Sequence, residues 1–139
     1  MKENTYNKVD SIQGLIGYTC QEILSIVRSD IQHKLQEADI HDITITNIVI
    51  YGSRARGDAR ADSDLDIVIE YEGNMTEYDL FNLLNEEPLQ IEEVQVDINP
   101  ITKGKSGTLM QYMKRIQLYD TEVLQKTYHN SENHTTPSI

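Results

Sequence analysis

Apolar residues recur at spacings of three and four from Ile16 through Cys20, Leu24, Val27, Ile31 and Leu35 to Ala38. That stripe predicts one long amphipathic helix over about residues 9–38. After a polar turn at Asp39 to Asp42 the period shortens. "ITITNIVIYG" (43–52) is rich in β-branched residues and closes on glycine, which reads as a strand. "DLDIVIEY" (64–71) reads as a second strand and "EEVQVDINPI" (92–101) as a third, halted by Pro100. Between them Thr76 and Asp79 are spaced as a capping-box pair, and Met75 and Leu80 as the hydrophobic staple of the same helix start. The helix should run to about Asn85 and bury some of Leu80, Phe81, Leu83 and Leu84, with Pro88 preventing continuation. "GTLMQYMKR" (107–115) suggests a short helix, "IQLYDTEVL" (116–124) fits an edge strand or more helix, and 129–139 is a polar tail expected to be disordered. No internal repeat interrupts this order, so a single domain is expected over residues 1–128.

Strand alternation sorts acids from hydrophobes. In the second strand Leu65, Ile67, Ile69 and Tyr71 share one side, with Asp64 and Asp66 on the other at the strand's beginning. In the third, Val94, Val96 and Ile98 oppose Gln95, Asp97 and Asn99. If both apolar faces share one core under the helices, Asp64, Asp66 and Asp97 come together on the opposite face of the sheet.

Composition narrows what such a cluster can serve. The chain of 139 residues carries 23 acidic and 12 basic side chains, a net charge of -11. A phosphate backbone would be repelled over most of such a surface, so direct nucleic-acid binding is not expected. One cysteine, Cys20, excludes an internal disulfide framework, and its place on the helical stripe makes it a core residue. No charged-then-apolar leader and no apolar run near 18 residues is present, so neither export nor a membrane span is expected, and the cytoplasm is the expected location.

Three crowded carboxylates need protonation or cations. Oxygen-only ligands suit magnesium or manganese, and the Cys and His spacing of zinc sites is missing. Just upstream, Gly52 ends a strand and Ser53 opens a turn or short helix, which would turn backbone N–H groups and a hydroxyl toward a phosphate. Arg54, Arg56 and Arg60 would either neutralise phosphate charge, Arg56 foremost, or pair with local acids such as Asp58 and Asp62. Two other motifs carry less. Gly104-Lys105-Ser106 ends like a P-loop, but the first glycine of that pattern would fall at Asn99. His33, His41, His129 and His134 show no metal spacing.

Gly52-Ser53, ten residues, then Asp64-Leu65-Asp66 resembles the signature of the nucleotidyltransferase superfamily that shares its fold with DNA polymerase β. "GSRARGDARADSDLDI" is similar throughout to the minimal nucleotidyltransferases, the likeness covers about residues 43–121, and Asp97 in "VQVDI" matches the third acid of that superfamily. The resemblance implies an α/β (α+β) nucleotidyltransferase fold, a mixed sheet with helices packed mainly on one face. It also implies transfer of a nucleoside monophosphate, with Asp64, Asp66 and Asp97 as catalytic metal ligands for two magnesium ions and with Gly52, Ser53 and Arg56 on the nucleotide. Minimal nucleotidyltransferases commonly act as antitoxins of helical HEPN-domain ribonuclease toxins, and some transfer AMP from ATP to a toxin tyrosine. The expected partner is therefore a HEPN-domain toxin in a hetero-oligomer, with ATP as substrate. A non-catalytic antitoxin that acts by binding, or an enzyme modifying a small-molecule hydroxyl, are the alternatives; the lack of a second, acceptor-binding domain weighs toward a protein acceptor.

Overall fold

The computed structural model describes residues 12–116. They belong to two compact units that divide after Thr102. In the first, helix α1 (Cys20–Glu37) packs with α3 (Glu77–Asn85) on one face of a four-stranded sheet. The strands are β1 (Thr44–Tyr51), β2 (Leu65–Glu72), β3 (Gln90–Ile91) and β4 (Val94–Ile101), and the one-turn helix α2 (Ser53–Arg56) follows β1. Their order across the sheet is β1-β2-β4-β3, with β1 and β3 antiparallel to their neighbours and β2 parallel to β4. Such a mixed sheet is the architecture the motif implied.

α1 begins later than its periodicity predicts. Thr19 is the N-cap: its hydroxyl accepts from the Glu22 N–H at 3.0 Å while Glu22 accepts from the Thr19 N–H at 2.8 Å, a reciprocal capping box. Upstream the chain turns instead, Leu15 and Tyr18 donating to the carbonyls of Ile12 and Leu15. Ile12 and Leu15 enter the core and Ile16 is 84 % exposed, so the predicted stripe fails at its first position; Ala38, at its last, is exposed as the C-cap. The predicted start at residue 9 and the predicted pieces over 117–139, the tail included, lie outside the described residues.

β1 solves a parity problem written into its sequence. Ile43 and Ile45 are out of phase with Ile48 and Ile50, so a regular strand would turn one pair away from the core. A bulge between Ile45 and Asn47 resets the register, and both pairs face the core cluster. The displaced Thr46 donates its hydroxyl to the Glu70 carbonyl at 3.0 Å.

β4 runs through Pro100 to Ile101 rather than stopping there, because Pro100 pairs with Ile69 at a strand position that tolerates a missing N–H. β3 is only two residues long, and its antiparallel turn onto β4 was not anticipated. Beyond it a side chain takes over the work of a strand. Asn85 accepts from the Ile98 N–H at 3.0 Å and donates to the Ile98 carbonyl at 2.8 Å, so this stretch of β4 offers no open ladder to another chain.

α3 starts and stops as predicted. The Thr76 hydroxyl accepts from the Asp79 N–H, Leu80 and Leu84 are buried and Met75 packs against the cluster. Phe81, by contrast, is 37 % exposed. The two helices are tied by Lys34, which donates to the carbonyls of Leu84 and Glu87 at 2.9 and 2.8 Å, near the negative end of α3. At the opposite end Glu77 accepts from the Thr102 N–H and hydroxyl.

The second unit holds the one-turn helix α4 (Lys103–Ser106) and a helical stretch over 109–116. Thr108 and Gln111 open that stretch with mutual side-chain to backbone hydrogen bonds. Among the described residues no helix is long and apolar enough to cross a membrane.

Replacing Asn85 by Ala strands the backbone donor and acceptor of Ile98, and we expect a loss of about 2 kcal/mol in urea unfolding with an unchanged m-value. Asn82→Ala, on the exposed side of the same helix, should cost less than about 0.5 kcal/mol.

Candidate functional site

The face of the sheet opposite α1 and α3 is laid out by register. Tyr51, Asp66 and Asp97 form one row across β1, β2 and β4; Val49, Val68 and Asn99 the next; Asn47, Glu70 and Ile101 the third. Asp66 and Asp97 are direct partners on adjacent parallel strands, so their carboxylates emerge side by side. This face is not the open surface that strand alternation suggests. Val49 and Val68 are fully buried, as expected for a central run, Ile67-Val68-Ile69, that is apolar on both sides. Glu70 is 4 % exposed and accepts from the Asn47 amide at 2.7 Å, an acid buried by partners rather than placed with the other three. The row of Tyr51, Asp66 and Asp97 is half-exposed throughout.

Asp64 lies one residue before β2, and its charge reaches Asp97. Burial first, and Asp64 second, push the Asp97 carboxyl above its ordinary value. Asp66 touches the turn that precedes α2. Gly52 there has φ +86°, and a Cβ on it would collide with the Asp66 carboxylate. The glycine is required twice, by its backbone conformation and by the acid packed on it. Ser53 begins α2, and its carbonyl accepts from the N–H groups of Gly57 and Asp58 at 2.8 and 3.0 Å, closing a tight loop.

The three arginines of the motif separate. Arg56 and Arg60 lie at the surface beside Asp58 and Asp62, at 3.4 and 3.7 Å. Arg54 is 4 % exposed and donates to three carbonyls: Ser63 at 2.8 Å, Gln13 at 2.7 Å and Ala61 at 3.1 Å. Its partners are backbone oxygens rather than the acids the sequence offers. Neither this role nor the part of Gln13 was anticipated, because a charged residue in a polar loop gives no signal of burial.

Among the described residues no group of three or more His, Cys, Asp or Glu side chains could hold a metal ion as placed. The donor chemistry nonetheless suits a hard divalent cation: the register-paired carboxylates of Asp66 and Asp97, the second disfavoured in its ionised form, with Asp64 within electrostatic reach.

A family model described as polymerase beta, nucleotidyltransferase matches residues 29–123, more than half of the chain. No curated protein and no solved structure matches it.

Two outcomes follow from this geometry. Because the fold favours protonated Asp97, native protein binds more protons than unfolded chain above the ordinary carboxyl value of 3.8. Stability is therefore fully present below that value and is lost as pH rises through the raised native one. Without divalent ions, Asp97→Asn should melt above wild type at pH 7 and lose that advantage toward pH 3; equal melting temperatures at pH 7 contradict the electrostatics. Gly52→Ala should cost at least about 1 kcal/mol in thermal unfolding, from the positive φ alone.

Proposed function

The chain belongs to the polymerase β nucleotidyltransferase family, and from that premise we propose that it is an antitoxin that transfers AMP from ATP to a tyrosine hydroxyl of a HEPN-type ribonuclease toxin. The observation that carries the reading is the meeting of Asp66 and Asp97 as strand partners, with Asp64 in electrostatic reach and Gly52 packed on Asp66. Blocking a partner by occupancy alone needs no such concentration of like charge.

Asp64, Asp66 and Asp97 are the residues that would hold magnesium, with two ions expected. When bound, the metal neutralises triphosphate charge and stabilises the attacking and leaving oxygens of an in-line displacement. The protein's own groups do the rest. Gly52 and Ser53 would orient the β- and γ-phosphates, and Arg56, at the end of α2 and beside Asp58, would supply positive charge to them. The phenol oxygen of the acceptor bonds to the α-phosphorus, the bond from that phosphorus to the bridging oxygen of the β-phosphate breaks, and pyrophosphate leaves. Asp97, pushed up by burial and by Asp64, takes the phenol proton. A net charge of -11 favours association with a basic partner, the charge expected of a protein that handles RNA.

The test is incubation with α-labelled ATP, magnesium and the protein encoded beside this one. Label should appear on the partner with wild type and vanish with Asp64→Asn/Asp66→Asn. Tight, inhibitory complex formation without label in either sample would replace transfer by occupancy. Label on an added small hydroxyl compound in place of the partner would move the acceptor class.

A further inference from the structure

The family match begins at residue 29. Yet the loop that delivers Asp64 is fastened to residues well before that point. Gln13 treats Ala59 as a strand would: its side-chain amide donates to the Ala59 carbonyl at 2.8 Å and its side-chain oxygen accepts from the Ala59 N–H at 2.9 Å. The Gln13 N–H donates to the Arg54 carbonyl at 3.2 Å, and the Gln13 carbonyl accepts from Arg54 Nη1 at 2.7 Å. On its far side Arg54 grips the carbonyls of Ala61 and Ser63, the second being the peptide that leads into Asp64. The loop adds one internal brace, with the Ser63 N–H donating to the Arg60 carbonyl and the Arg60 N–H donating to the Ser63 hydroxyl, both at 3.0 Å.

The segment itself is anchored from below. Ile12 and Leu15 are 0 % and 2 % exposed, so the backbone that carries Gln13 is pinned to the core on both sides. Gly14, at φ +89°, lies against the Arg54 guanidinium, and a Cβ there would collide with Nη1. Asp64 has no strand to fix it, since β2 begins at Leu65. Its position is inherited from the Ser63 carbonyl, and so from Arg54 and Gln13.

We infer that Gln13 and Arg54 are positioning residues of the nucleotidyl-transfer site: the segment 12–15 clamps the loop 57–63 so that Asp64 stands beside Asp97 and takes part in cation binding. This rests on the proposed role of the three aspartates as metal ligands. Gln13 is exposed and bonds to Ala59 and Arg54, so its effect on Asp64 is transmitted through the loop.

Manganese alone, titrated into the full chain by calorimetry, is the probe. Gln13→Ala should weaken manganese binding about tenfold, the scale of a lost outer support. Thr19→Ala, which removes a helix cap away from the loop, is the matched control and should leave affinity within about twofold while lowering stability by a comparable amount. Amide exchange at residues 61–64 should speed up in Gln13→Ala and stay unchanged in Thr19→Ala. Wild type that binds manganese with Gln13→Ala binding equally well, or with Thr19→Ala weakened as much, overturns the clamp while leaving the aspartate site intact. Wild type without any manganese binding removes the aspartate site and the clamp with it.

Discussion

Two carboxylates held opposite each other on neighbouring parallel strands are the constraint around which this fold is arranged. Asp66 and Asp97 cannot relax apart, because their backbones are fixed by the β2–β4 ladder. Each strand then continues into hydrophobic register pairs, Ile67 with Ile98 and Ile69 with Pro100, buried beneath α1 and α3. The apolar burial of those pairs holds in place a row of charge that would otherwise fly open. Electrostatic cost at one end of a strand is offset by packing along the rest of it.

The parallel pairing has its own requirement, a crossover from the end of β2 back to the start of β4. α3 supplies it and is tied at both ends: Glu77 takes hold of Thr102, while Lys34 of α1 reaches carbonyls at the far end of the helix. Asn85, on the last turn of α3, completes the strand it packs against. These polar ties are few and fall at element ends, where backbone groups lack partners within the element. They fix the register that apolar packing alone leaves loosely specified.

Much of this was legible in the chain. The three long strands, the α3 start at Thr76 and the sidedness of Asp66 against Ile67 all follow from period and cap chemistry; after Gly52 the sequence offers a turn or a short helix without deciding between them. What was not legible has physical causes. The α1 stripe extends past the true start because a 3.6-residue period cannot distinguish a helix from the turns before it, and the decisive pair, Thr19 with Glu22, lies inside the stripe. The bulge at Thr46 was readable in principle from the phase slip between Ile45 and Ile48. The two-residue β3 carries too little pattern to be seen. At the site, Asp64, Asp66 and Asp97 announce themselves by type and parity, whereas Arg54 and Gln13 act through backbone oxygens and N–H groups that no residue letter encodes.

Arg54 has one further consequence. Sunk to 4 % exposure, its field is weakly screened by water and salt. One peptide from Asp64 the protein thus keeps a positive background that salt screens weakly, so the negative potential felt by an arriving ion is shallower than the acids alone would make it.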